Sequence, residues 1–317
     1  MTAGDPGYDP RAGRYVGGAA FGLPAPAMPA VDAAQLELLV RFEHPAKFLA
    51  VKELPGAALL PDACQAAAYG TSPEQLAHLR DRLWREARDA AGELAADPAT
   101  RAAIRRLPVR AGGTLVALGD SITDDSQSWA EILRHCLEEV RPGEVTLVNA
   151  GLSGDTTADA LGRLYGIVEL RPELVVAMLG TNDCQRHGPG GARLVSERES
   201  AENVTAISAW LEAAGTHVVW LTPPPVDEAA LARAVAPRPL AVRAADVLAL
   251  AGALRAAGHL VLDAGSRLSG RVADGHLLAD GLHPSLAGHI AIARGVLTGL
   301  AALAPAPTSS DRAATPS

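Results

Sequence analysis

Thr114-Leu115-Val116-Ala117-Leu118 runs without a polar interruption other than its first residue and ends on Gly119-Asp120-Ser121. The run has strand length, Gly119 breaks it, and an amphipathic helical pattern follows from Trp129. A serine on such a turn can hold its hydroxyl outward from the end of a buried strand. Gly, Asp and Ser are also ordinary turn residues, so taken alone the tripeptide reads equally well as a plain loop. For Ser121 to act as a nucleophile, a base must take its proton, because a free hydroxyl is unreactive near neutral pH.

Working outward, further apolar runs of strand length fall at Val145–Val148, Leu174–Leu179, Val218–Leu221 and Leu260–Leu262, each separated from the next by a helical segment. That alternation predicts a parallel α/β sheet of five strands with helices on both faces. Trp129, Ile132, Leu133, Cys136, Leu137 and Val140 recur at spacings of three and four, which makes one buried helical stripe. Leu286, Ile290, Ala293, Val296, Leu297 and Leu300 make another in the last helix. Ligands of open sheets bind at the carboxyl ends of strands, and that is where the remaining polar motifs lie.

Asn149-Ala150-Gly151-Leu152-Ser153-Gly154-Asp155-Thr156 follows the second run, and a glycine such as Gly154 lets backbone approach a ligand and offer an N–H. The same segment also reads as a turn whose Asp155 or Thr156 caps a helix. Asn182, in Gly180-Thr181-Asn182-Asp183 after the third run, carries an amide able to donate to a developing oxyanion or simply to its own loop. Of nine histidines, His283 stands apart, three residues after Asp280 with Pro284 opening the final helix. A carboxylate and an imidazole can meet through that tight turn, Asp280 fixing the tautomer while His283 serves as base. His44, His78, His135, His187 and His217 read as surface or core residues, His276 as a loop neighbour, and His289 as facing outward or packing on the last helix.

Taken together, Gly-Asp-Ser-Ile-Thr at 119–123, Asn-Ala-Gly-Leu-Ser-Gly-Asp-Thr at 149–156, Gly-Thr-Asn-Asp at 180–183 and Asp-Gly-Leu-His-Pro at 280–284 resemble the four blocks of the SGNH (GDSL-type) hydrolase family. The resemblance covers residues 111 to about 303. It implies a three-layer α/β/α, flavodoxin-like sandwich and a Ser121–His283–Asp280 catalytic triad. It also implies an oxyanion hole made of the Ser121 N–H, the Gly154 N–H and the Asn182 side chain. Members cleave carboxylic esters, thioesters and O-acetyl groups through an acyl-enzyme, with no cofactor and no metal, or pass the acyl group to an alcohol or amine. Two other readings of the residues are a metal-dependent hydrolase built on Asp274, His276, Asp280 and His283, and a binding module that has lost its chemistry.

One feature is local to this chain. Asp124 and Asp125 directly follow Thr123, while Ser128-Trp129-Ala130-Glu131 reads as a capping box that starts the helix only there, about two turns beyond Ser121. The acidic pair reads as a solvated loop, the alternative being selection of a cationic or polyhydroxy substrate.

The 317 residues, 48% of them hydrophobic, suffice for a sizeable core, and the net charge of −8 disfavours nucleic acid and anionic membrane surfaces. Cys64, Cys136 and Cys184 have neither disulfide-framework nor zinc spacing. No signal peptide and no apolar run of membrane-spanning length are read, so no membrane insertion and a cytoplasmic location are expected. Residues 1–30 and 304–317, rich in small residues and Pro, read as weakly ordered. Between them and the 111–303 hydrolase segment, 31–110 reads as mainly helical. Its clearest signals are Ser72-Pro73-Glu74-Gln75, opening a long helix through Trp84 and Leu94, and Asp97-Pro98, opening a short one that ends near Leu107-Pro108. This region reads first as a packed helical extension; the alternatives are that it covers the catalytic domain, forms a homo-oligomer surface or binds a partner. The Cys184–Arg193 loop and the stretch from Thr222 to Ala236 are expected to shape the substrate pocket as lids.

Overall fold

The chain is described by a computed structural model over residues 31–54, 56, 60–236 and 238–303. Within 1–30 it describes an antiparallel ribbon of β1 (Tyr8–Asp9) and β2 (Arg14–Tyr15). The weak order expected of 1–30 otherwise lies outside the described residues, as does that expected of 304–317.

Five parallel strands make the central sheet: β3 (Gly113–Gly119), β4 (Val145–Gly151), β5 (Leu174–Met178), β8 (His217–Leu221) and β10 (Val261–Leu262), in the spatial order β10-β8-β5-β3-β4. All five expected strands are present, and their order is the flavodoxin type, with the direction of winding reversing between β3 and β5. Alternation along the strands sends side chains to opposite faces. Leu115, Ala117, Val176 and Met178 join one core with α7 (Trp129–Val140), α13 (Leu286–Leu303), α4 (Pro73–Ala96) and α5 (Pro98–Arg105). Val116, Leu118, Val175 and Ala177 join a second core with α8 (Thr157–Gly162), α9 (Leu164–Glu169), α10 (Glu197–Ala213) and α12 (Ala244–Ala256). Each fully buried Leu, Ile or Val in these layers contributes roughly 1.5–3 kcal/mol relative to exposure.

The N-terminal region is helical as expected. It holds α4 and α5 at the positions read from Ser72 and Asp97, whose side chains accept from the Gln75 N–H and from the Ala99 and Thr100 N–H groups. Ahead of them stand α1 (Ala33–Phe42), α2 (Pro45–Val51) and α3 (Asp62–Ala68). The start of α1 carries a complete capping box, Asp32 with Gln35, a local signal the sequence does offer. Val40, Ala66, Tyr69, Leu76, Leu79 and Leu83 gather α1, α3 and α4 around a small core of their own.

Three expectations need correction. The helix α13 is long and apolar enough by composition to cross a membrane, although its sequence reads as falling short of a span. Half of it is buried in the protein, Ile292, Val296, Leu297 and Leu300 completely so. The two expected lids are one packed unit: β6 (Gln185–His187) pairs with β7 (Ala192–Arg193) and with β9 (Leu240–Val242), all antiparallel. Cys184, Val226, Leu231 and Val242 close a core beneath them, Leu231 coming from α11 (Glu228–Val235). Finally, a one-turn helix, α6 (Ser121–Asp124), precedes α7, so Ser121 opens a helical turn instead of standing in a bare loop. Asp125 leaves helical geometry after it, and α7 begins anew from Ser128, whose Oγ accepts from the Glu131 N–H at 3.3 Å. The reciprocal half of the expected box is not formed, because the Glu131 carboxylate is taken by Arg134 and Asn149.

Candidate active site

Two glycines allow α6 to rest directly on the sheet. Gly119 and Gly151 are register partners at the ends of β3 and β4. A Cβ on Gly119 would come within 2.1 Å of Thr123 Oγ1, and one on Gly151 within 2.5 Å of the Asp124 nitrogen. No larger residue fits either position. Asp120 caps the turn, its Oδ1 accepting from the Ile122 N–H at 3.0 Å, and this places Ser121 at the first helical position with its own N–H free of a protein partner among the described residues.

His283 arrives from the loop before α13. Gly281, at φ +71°, turns the chain in the left-handed region, where a Cβ would also meet the Asp227 carbonyl at 2.6 Å. Asp280 Oδ1 accepts from the Leu282 and His283 N–H groups at 2.9 and 3.0 Å, which orients the carboxylate. Its Oδ2 then lies 2.7 Å from His283 Nδ1, and His283 Nε2 lies 2.9 Å from Ser121 Oγ. Burial would raise the Asp280 carboxyl, but the His283 side chain and the two backbone donors outweigh it and hold the group below its usual value. An ionised Asp280 only accepts, so Nδ1 carries the imidazole proton and Nε2 is left to accept from the serine hydroxyl.

The strands flanking β3 supply the other two motif residues. Gly154 follows β4 at φ +89°, and its N–H has no protein acceptor among the described residues. Asn182 follows β5 in a 3-10 turn, donating one amide hydrogen to the Asp155 carbonyl at 2.9 Å while its oxygen accepts from Gln185 at 2.6 Å. The second amide hydrogen has no acceptor among the described residues. Asp274 and His276, by contrast, turn to Ser269, and among the described residues no group of three His, Cys, Asp or Glu side chains is arranged to hold a metal ion.

Asp124 and Asp125 are not solvated. Both are buried, because the N-terminal region brings cations to them. The Arg41 guanidinium from α1 takes Asp125 with Nε and Nη2, and His289 from α13 lies 3.2 Å from the same carboxylate. Burial favours the neutral acid of Asp125, yet His289 and Arg41 prevail and bring it down to about 2. His289 neither faces outward nor merely packs on its helix. It is fully buried, its Nδ1 accepting from the Trp129 N–H at 3.2 Å, so its proton sits on Nε2 toward Asp125. Burial also lowers the His289 pKa, in keeping with a neutral ring. Lys47 of α2 reaches Asp124 Oδ1 at 2.6 Å, and His44 Nδ1 stands 3.0 Å from the same oxygen, so His44 belongs to the site's surroundings. Phe42 lies against the His283 ring. Sequence patterns mark none of Arg41, Phe42 or Lys47, since each acquires its partner only through tertiary contact.

The chain resembles known proteins over part of its length. The chain is 34% identical over 117 residues to the esterase TesA of Pseudomonas aeruginosa and 30% identical over 118 residues to the arylesterase of Vibrio mimicus. Each alignment covers 35% of this chain and 54% or 55% of the relative, so the matched stretch spans about half the length of these curated relatives. Among solved structures, LAE5, an alpha/beta hydrolase enzyme from the metagenome of Lake Arreo in Spain, is similar over 63% of this chain and all of its own, at 24% identity and a TM-score of 0.49. The GDSL-like lipase/acylhydrolase family model matches residues 117–291, more than half of the 317, and the chain belongs to that family.

Proposed function

We propose that this protein is a serine esterase that cleaves a carboxylic ester, O-acetyl group or thioester through an acyl-enzyme on Ser121. The observation that carries the reading is the continuous hydrogen-bonded chain Ser121 Oγ–His283 Nε2 and His283 Nδ1–Asp280 Oδ2, at 2.9 and 2.7 Å. In the first step Ser121 Oγ attacks the acyl carbonyl while His283 takes its proton, and the N–H groups of Ser121 and Gly154 with the Asn182 amide receive the oxyanion. His283 then gives the proton to the leaving alcohol or thiol. Water, deprotonated by the same imidazole, releases the acid. Asp280 stays ionised throughout and stabilises the imidazolium.

Hydrolysis of a small aryl acetate by wild type and Ser121→Ala, with mass-spectrometric mapping of a serine-directed fluorophosphonate, tests this directly. Labelling at Ser121 and loss of turnover in the variant are expected. A variant that retains the wild-type rate overturns the assignment.

A further inference from the structure

The corner where α1 gives way to α2 touches both halves of the site from outside the segment matched to the family. Phe42 is buried, its ring centroid 4.2 Å from that of His283 and its plane 32° from parallel. Arg41 beside it holds Asp125 and reaches the Pro284 carbonyl at 3.4 Å, so the backbone just past His283 is tied to the same helix end. Five residues after Phe42, Lys47 binds Asp124 Oδ1 at 2.6 Å. The other oxygen of Asp124 accepts from both the backbone N–H and the hydroxyl of Ser153, at 3.0 and 3.1 Å. Ser153 immediately precedes Gly154.

We propose that this corner is a positioning part of the active site: Phe42 sets the plane of the His283 ring, and the Lys47–Asp124–Ser153 bridge sets the turn that offers the Gly154 N–H. The inference rests on the reading of Ser121 as nucleophile and His283 as base, and neither Phe42 nor Lys47 touches the reacting atoms. The need for Phe42 is geometric. Hydrogen bonds at Nδ1 and Nε2 fix two points of the imidazole and leave a tilt about the line joining them, which a contact on the ring face resists. When the ring becomes imidazolium during acylation, the aromatic face also attracts the new charge. The need for the bridge is that Gly154, at φ +89° and with open space where a Cβ would lie, receives no packing support from its own position. Its turn is held instead through its neighbour.

The test uses the full chain and compares Phe42→Leu with Phe42→Tyr, and Lys47→Met with Lys47→Arg. Each is followed by steady-state hydrolysis of a small aryl acetate across the range in which histidine titrates, and by thermal melting. Leucine fills much of the space of phenylalanine and still keeps water from the ring, so a purely structural role would survive Phe42→Leu. The positioning role predicts that kcat falls by about three- to ten-fold with KM little changed. Phe42→Tyr should regain most of the rate.

The charged or titratable groups around His283 are Asp280 on its own loop, Asp120 ahead of α6, His289 on α13 and Arg41 on α1, and these variants alter none of them. Lys47→Met should lower kcat by about three-fold or more, since it acts on the oxyanion turn, and Lys47→Arg should restore it. Wild-type kcat in both Phe42→Leu and Lys47→Met, with Ser121 still labelled by fluorophosphonate, overturns the positioning role and leaves the functional reading standing. Absence of labelling at Ser121 in wild type overturns that reading itself. Should Phe42→Leu melt before assay, the Lys47 pair decides the outcome.

Discussion

Arg41 and Asp125, 84 residues apart in sequence, form a two-pronged ion pair with both side chains buried, Nη2 lying 2.5 Å from Oδ2. This pair joins the N-terminal helices to the segment that leaves the Ser121 turn. It also explains why two aspartates stand close after Ser121: they are docking points for α1 and α2, with Asp124 taking Lys47 as Asp125 takes Arg41. Arg41→Met should therefore destabilise the protein by about 3–5 kcal/mol, the usual effect of leaving a buried charge without its partner. Equilibrium denaturation by urea measures it, and a change under about 1 kcal/mol would show that His289 and the Gln127 N–H alone can hold Asp125. Arg41→Lys should recover only part of the loss, because an ammonium cannot make both contacts.

The same carboxylates set the acid limit of stability. Asp125 has a folded pKa of about 2 against an ordinary 3.8, and Asp280 is also held below 3.8. A carboxylate lowered in the folded state contributes its stabilisation above the unfolded value and loses it as pH falls through the folded one. Melting temperature should hence drop from near pH 4 toward pH 2. In Arg41→Met the drop should be smaller, since the Asp125 carboxyl loses a cation that lowers it and its folded value moves back toward the unfolded one. Parallel melting-against-pH curves for the two proteins would contradict this.

In the proposed mechanism Asn182 is one of three oxyanion donors, so Asn182→Ala should reduce kcat on the order of 100- to 1,000-fold. The substitution also frees the Asp155 carbonyl and Gln185, so the melting temperature must be read beside the rate. Asp280→Asn keeps the acceptor oxygen for the Leu282 and His283 N–H groups but presents no carboxylate to Nδ1. Turnover of an aryl acetate should fall by roughly 10⁴-fold, the size seen when the orienting aspartate of a serine triad is neutralised. Either variant turning over at the wild-type rate removes that residue from the mechanism.

The sheet was legible in the sequence because its central strands β3 and β5 are short apolar runs buried on both faces, and such runs stay visible without knowledge of their neighbours. The polar blocks at the ends of β3, β4 and β5 were legible for the same reason, each following its own strand, while the Asp280–His283 block was marked by its own spacing. His289 carried a readable signal that outward placement overlooks: it stands three and four residues before Ile292 and Ala293, on the buried stripe of α13. Arg41, Phe42 and Lys47 had none. An arginine near a helix end ordinarily reads as solvent-facing, and two adjacent aspartates read as solvated until a segment some 80 residues earlier is known to bring cations to them.

Asp120 supplies a prediction of the opposite sign. It is fully buried, with Oδ1 accepting from the Ile122 N–H and no partner for Oδ2 among the described residues, and burial above all pushes its carboxyl up to about 7. Between the ordinary 3.8 and about 7 the folded protein retains a proton that the unfolded chain has lost, so stability declines as pH rises across that window and is constant beyond it. Asp120→Asn keeps the capping oxygen, since Asn and Asp are comparable helix caps, and cannot ionise. Asp125 and Asp280 act below this window in both proteins and cancel in the comparison. The melting temperature of Asp120→Asn minus that of wild type should increase steadily from pH 4 to pH 7 and then level off. A difference that does not change with pH would mean that the Asp120 carboxyl is ionised throughout, with water reaching Oδ2 in solution.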